Sequence, residues 1–273
     1  GYRTVSLAYE GDTLPSACGT ETGNAFSTCV RKFRRDVLLG DPTPTAGVTD
    51  IHRANSVEQR LLDLLADLDA SNPGDGWDAY FNGSDLEFGN IVIGGYSLGS
   101  GHASFWARIE RFAGVTTLSG PTDYVCEDFP HDRTLHPGLF YPLGCTNTLA
   151  GWIRDETHDT PGADRYAAFH GEEAHYYKLD GLIRVWDHFG IPRLPGPHLT
   201  IDVTGAFDFV AGTPWPLAGP EHRFSFGTPL PTGCTGHEAA AVDSCLELDA
   251  ASNLPLAFPL YMHLFCAAGG DMP

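Results

Sequence analysis

One serine in this chain carries the pattern of a presented nucleophile. Gly95-Tyr96-Ser97-Leu98-Gly99 stands between a short apolar run, Ile91-Val92-Ile93, and a stretch of small residues from Ser100 to Ser104. A serine forced into a tight turn between a buried strand and a helix has its hydroxyl pushed out above the sheet edge. Glycines two residues to either side remove the Cβ atoms that would clash as strand and helix close on each other. The backbone N–H of Leu98, at the start of the new helix, then points to where an oxyanion would form. Ser97 is therefore the candidate nucleophile and Leu98 the candidate oxyanion donor. The competing reading is a structural glycine-rich turn, since the chain holds 32 glycines. The apolar strand before the motif and the close-packing residues after it favour the nucleophile.

Elements on both sides must hold this turn. Alternation and β-branching predict a strand over Gly1–Tyr9, followed by a polar, Gly/Pro-rich excursion to Asp50 with a short basic helix near Arg31–Leu39. Ser56-Val-Glu-Gln59 is a capping-box start for a helix with Val57, Leu61, Leu64, Leu65 and Leu68 on one face, ending near Pro73-Gly74. The elbow helix is expected to run to about Phe112, and Gly114–Pro121 reads as the next strand. Residues 122–163 form a long connection, expected to be a lid or cap. Beyond it come a strand at Arg165–Phe169, a helix from Ala174 to Phe189, strands at His198–Val203 and His222–Gly227, and a terminal helix. Strands alternating with helices predict a mostly parallel sheet covered by helices on both faces, in one domain spanning 1–273.

Composition narrows the setting. The formal charge is −19 over 273 residues, with lysine only at positions 32 and 178. Such a surface repels nucleic acid and anionic lipid. No run is long and apolar enough to span a membrane. Of seven cysteines, Cys18/Cys29, Cys126/Cys145 and Cys234/Cys245 bracket short loops, which reads as local disulfide staples with Cys266 left over. That usage favours an oxidising compartment, hence a secreted protein. Asn82-Gly83-Ser84 is a glycosylation sequon consistent with export. No pair has C-x-x-C spacing, and His131, His136 and His158 lack metal spacing. Asp155, Glu156, Asp159 and Asp164 read as a solvated acidic loop, so no metal or cofactor is expected.

Taken together, these segments resemble the α/β-hydrolase superfamily, specifically secreted serine esterases with a disulfide-stapled excursion before the elbow. The resemblance rests on the strand Gly1–Tyr9, Arg53-Ala-Asn-Ser56-Val with its Leu-rich helix, the elbow Gly94–Gly101, Ser119-Gly-Pro-Thr-Asp123 and Gly236-His237. It implies an α/β-hydrolase fold with the order serine, acid, histidine. The base is then His237, in a Gly-rich loop between Cys234 and Cys245, with His222 as runner-up. The imidazole must take the Ser97 proton and return it to the leaving group. His102, one helical turn past Ser97, reads as a packed or hydrogen-bonded core histidine. The implied acid is Glu173, after the strand Arg165–Phe169, where it would orient the imidazole. Glu172 and Asp123 remain alternatives, and both glutamates also read as an acidic helix start.

The second oxyanion donor comes in that superfamily from a loop after an earlier strand. If Gly1–Tyr9 matches the strand before the Leu-rich helix, the expectation is a separate or preceding N-terminal chain segment, tied through Cys266. Otherwise Tyr9-Glu10-Gly11 supplies the donor. The expected activity is hydrolysis of a small-molecule or polymer ester through an acyl-enzyme on Ser97. The alternative is a non-catalytic ligand-binding or interaction protein on the same fold. Trp152, in the expected lid, is the tryptophan placed to line an acyl pocket.

Overall fold

The computed structural model describes residues 3–9, 18, 23–40, 49–121, 123–126, 147–154, 166–171, 185–187, 189, 199–201 and 223–226. Its first helix, α1, runs Gly23–Leu39, well beyond the short basic helix expected at Arg31–Leu39. Its N-terminal half is polar and small, which reads as loop, but it is tied from outside. A Cys18–Cys29 disulfide joins it to the preceding segment, and Ser27 Oγ accepts the Gly151 N–H at 2.5 Å. Val30, Phe33, Val37 and Leu38 form its buried stripe. Helix α2, Val57–Ser71, starts as expected: the Ser56 side chain accepts the Gln59 N–H at 3.2 Å. The reciprocal half of the capping box is absent, because Gln59 Nε2 turns forward to Asp63 at 2.9 Å. Leu61, Leu62 and Leu65 are the buried leucines of α2, whereas Leu64 and Leu68 are half-buried. The face turns toward Leu62 because α2 packs on α1 and also on the Trp77–Leu86 segment.

A tight hairpin, β1 (Phe81–Asn82) against β2 (Asp85–Leu86), carries the Asn82 sequon in its turn. The central unit follows: β3 (Val92–Tyr96), α3 (Leu98–Ile109) and β4 (Gly114–Leu118). Strands β5 (Tyr124–Cys126) and β6 (Asn147–Leu149) pair antiparallel, and α4 (Gly151–Arg154) follows β6. Strands β7 (Tyr166–Gly171), β8 (Leu199–Ile201) and β9 (Arg223–Phe226) complete the described elements. The main sheet has five strands in the order β3-β4-β7-β9-β8, and every neighbouring pair in it is parallel. Parallel neighbours require crossovers, and α3 supplies the one from β3 to β4. The chain is thus an α/β protein built on a parallel sheet. Among the described residues, no helix is long and apolar enough to cross a membrane.

Three expectations change. The strand over Gly1–Tyr9 does not form in its described part: residues 3–9 are irregular and mostly exposed. Leu7 packs against the core and Tyr9 against His102, and the Ala8 carbonyl accepts from Arg60 Nη1 at 2.6 Å. Helix α3 stops at Ile109 rather than near Phe112, because Glu110 takes an extended conformation, φ −132° and ψ 147°. Within the 122–163 excursion, Leu149, Ala150, Trp152 and Ile153 are buried. Trp152, expected to line an acyl pocket, lies buried inside that packing; residues 127–146 and 155–163 of the expected lid lie outside the described residues.

An aromatic trio secures the far end of the β3–α3–β4 unit. Phe88, just before β3, Trp106 on α3 and Phe112 after it meet edge-to-face at 5.0–5.6 Å. Their contact fixes the start of β3 against the end of α3, so the elbow between them has little freedom to drift. Phe112 is 1 % exposed. Phe112→Ala should lower unfolding free energy by about 3–5 kcal/mol in urea titrations monitored by tryptophan fluorescence.

Candidate functional site

Strand β3 ends at Tyr96 and helix α3 begins at Leu98, so Ser97 alone makes the joint. Its backbone adopts φ 53° and ψ −118°, a region that side chains with a Cβ rarely occupy. The ladder continues into the joint: the Ser97 N–H donates to the Leu118 carbonyl at 2.9 Å. Gly95 makes the reversal possible, because a Cβ there would come within 2.1 Å of the Gly99 carbonyl oxygen. Gly99 serves a different purpose from the one expected. A Cβ on it would meet the Tyr9 hydroxyl at 2.9 Å, so its bareness seats the N-terminal segment rather than the strand. Ser97 and Leu98 are both half-buried. The first N–H groups of α3 have no carbonyl within the helix to bond, and they form a positive end beside Ser97.

Behind the elbow lies a buried ion pair. Arg34 reaches from α1 to Asp123 and donates from Nε and Nη2 to the two carboxylate oxygens, each at 2.5 Å. The side chains are 1 % and 3 % exposed. Arg34 Nη1 also donates to the Leu98 carbonyl at 3.1 Å, and Trp152 Nε1 donates to Asp123 at 2.8 Å. The guanidinium lies 5.9 Å from the Trp152 ring centroid. Gly101 leaves the channel for it: a Cβ there would fall 1.9 Å from Arg34 Nη2. One guanidinium therefore joins α1, the first turn of α3, the segment after β4, and α4.

His102 lies beside this network, stacked at 4.8 Å edge-on to Tyr9 and 5.5 Å from Phe33. Neither ring nitrogen has a hydrogen-bond partner among the described residues. Burial, and then the nearby Arg34 charge, push its pKa well below the ordinary 6.5. It is a packed neutral histidine, and among the described residues it lacks the hydrogen bond that was the other expectation. Burial pushes the Tyr9 pKa up, opposed by Arg34, so the phenol against Gly99 stays protonated.

Of the expected site residues, the structure brings Ser97 and Leu98 together at the elbow. Asp123 is also close behind it, but both of its oxygens face a guanidinium, and one takes an indole N–H as well. It serves there as the counter-ion of Arg34. Strand β7 ends at Gly171 on the sheet edge that Ser97 occupies, two strands away, about 10 Å by normal strand spacing. Glu172, Glu173, His222 and His237 lie outside the described residues. Among the described residues no three His, Cys, Asp or Glu side chains gather as metal ligands. Two residues of this site were missed. Arg34 interrupts the Val30-Phe33-Val37 stripe at a core-facing position, which is a readable sign of a buried cation. Ser100 was read only as a small packing residue.

No protein-family model matches the chain, and neither a curated protein nor a solved structure is significantly similar to it.

Arg34→Met should cost about 3–5 kcal/mol in urea unfolding, because Asp123 is left buried without its counter-ion, and Arg34→Met with Asp123→Leu should recover most of the loss. A second expectation concerns pH. Above about pH 6.5 His102 is neutral in both states. Below it the unfolded chain takes up a proton that the folded protein refuses, so stability falls by at most about 1.4 kcal/mol per pH unit from this group. The urea midpoint of His102→Phe should therefore decline less than wild type on acidification from about pH 7 to about pH 5.

Proposed function

We propose that this chain is a secreted serine hydrolase of the α/β-hydrolase type, cleaving carboxylic esters through an acyl-enzyme on Ser97. The observation that carries the reading is the backbone of Ser97, with φ 53° and ψ −118°, at a one-residue joint between a parallel strand and a helix. Strain of this kind costs about 1–3 kcal/mol and concentrates at functional sites. The parallel order β3-β4-β7 supports it further, because the strand ends after which the proposed nucleophile and acid follow share one sheet edge.

In this reading Ser97 Oγ attacks the ester carbonyl while His237 takes its proton. The carbonyl oxygen becomes an oxyanion and is held by the Leu98 N–H. The tetrahedral intermediate collapses as His237 returns the proton to the leaving alcohol, and water then releases the acyl group by the same sequence. Glu173, with Glu172 as its neighbour, orients the imidazole. Asp123 is the weaker candidate for that role because Arg34 already occupies it. The Tyr9 hydroxyl, held protonated against Gly99, is consistent with Tyr9 lying near the oxyanion side. The Cys18–Cys29 disulfide supports an oxidising compartment.

Wild-type protein should turn over short-chain aryl esters and form a phosphonate adduct that peptide mapping places on Ser97. Ser97→Ala should lower kcat by about ten-thousand-fold or more with the fold intact by circular dichroism. Equal turnover by the two proteins sinks the hydrolase reading. Absence of any adduct, with ligand binding retained, selects the non-catalytic binding protein instead.

A further inference from the structure

The amide that joins Ser97 to Leu98 has two ends with different neighbours. Its N–H is the oxyanion donor of the reading above. Its carbonyl, that of Ser97, accepts two donors from one residue: the Ser100 N–H at 3.0 Å and the Ser100 hydroxyl at 2.5 Å. We propose that Ser100 is a positioning residue, whose hydroxyl polarises this peptide unit and so strengthens and aims the Leu98 N–H toward the oxyanion. The proposal rests on Ser97 being the nucleophile.

The electronic argument is general. Hydrogen bonds accepted at an amide oxygen draw density from the nitrogen and make its N–H a better donor, by about 10–30 % per bond. A buried helical serine often bonds back to a nearby carbonyl merely to satisfy its own hydroxyl. Two features point beyond that here. The carbonyl belongs to the strained residue itself, so the second bond also holds the peptide plane in which the Leu98 N–H lies. The turn after β4 is shaped around the contact. A Cβ on Gly120 would fall 1.8 Å from Ser100 Oγ and 3.0 Å from the Ser97 oxygen. Gly120 is held in turn by Trp186 Nε1, which donates to its carbonyl at 3.3 Å. Ser100 is fully buried, so solvent does not compete for its proton.

The test compares wild type with Ser100→Ala and Ser100→Cys, the second keeping the shape with a weaker donor. Removing an oxyanion donor outright costs about 10²–10³-fold. Weakening one should cost less, about 3- to 10-fold in kcat for an aryl ester in Ser100→Ala, with KM unchanged. Affinity for an aryl trifluoromethyl ketone, which forms the tetrahedral oxyanion, should fall by the same factor. Ser100→Cys should lie between, and the Leu98 amide proton in the nuclear magnetic resonance spectrum should move upfield in both variants. An active wild type with unchanged kcat, ketone affinity and Leu98 resonance in the folded variants overturns the role of Ser100 and leaves the hydrolase reading standing. A matched rise in KM with no loss of ketone affinity overturns it too. A wild type with neither turnover nor adduct overturns the Ser97 reading, and this role with it. Should Ser100→Ala fail to fold, Ser100→Cys carries the same comparisons.

Discussion

A backbone held at φ 53° relaxes unless its neighbours forbid every alternative, and the structure around Ser97 can be understood as that prohibition. Strand pairing fixes the residue from one side, through the bond from its N–H to Leu118. Ser100 fixes it from the other, through its carbonyl. Between these bonds, one of them from a side-chain hydroxyl, the φ and ψ of Ser97 are largely determined. The glycine at 95 does not create the strain; it removes the obstacle, a Cβ 2.1 Å from the Gly99 oxygen, that would make the geometry impossible. The aromatic trio of Phe88, Trp106 and Phe112 then keeps the outer ends of β3 and α3 from sliding, so the strain cannot leak away along the elements.

The Arg34–Asp123 pair contributes position more than stability. Taking two charges out of water costs several kcal/mol per ion, and the attraction between them roughly offsets it. What the pair adds is geometry. A planar guanidinium with both oxygens of a carboxylate in register, an N–H on the Leu98 carbonyl and a glycine channel around it has one place to sit. Four segments distant in sequence inherit that placement. A well-packed apolar substitute would hold the same volume with less directional control.

How far these features could be read from the sequence follows from their range. The elbow, the cap at Ser56 and the strands near residues 92–96, 114–118, 166–171, 199–201 and 223–226 were legible, because each depends on local pattern. The segment 3–9 was not: its alternation suits a strand, but pairing is decided by a partner, and its Ala8 carbonyl went to Arg60 instead. The N-terminal half of α1 was also hidden, since its helix is held by a disulfide and by Ser27 rather than by propensity. Asp123 was legible as a candidate carboxylate, yet its partner lies 89 positions earlier and no spacing rule connects them. Ser100 lay inside the motif and was overlooked because its chemistry resides in which carbonyl it reaches.

If Ser97 is the nucleophile, as proposed, the charge state of this interior bears on what can stabilise a developing anion there. Arg34 is neutralised by Asp123. His102 is kept uncharged by burial and by that same guanidinium, and burial keeps the Tyr9 phenol protonated. The described groups behind the elbow thus sum to little net charge despite holding four titratable side chains. In the proposed hydrolase reading, what the described residues offer an anion at the joint is then oriented dipoles: the N–H groups of the first turn of α3, that of Leu98 first among them. Dipoles act only over short distances and only when aimed, whereas a net charge tolerates misplacement. A site that relies on them needs its peptide planes fixed to a fraction of an ångström. That requirement explains why so many contacts around Ser97 terminate on backbone atoms: the Ser97 and Leu98 carbonyls each receive a side-chain donor, and the Ser97 N–H is bound into the sheet.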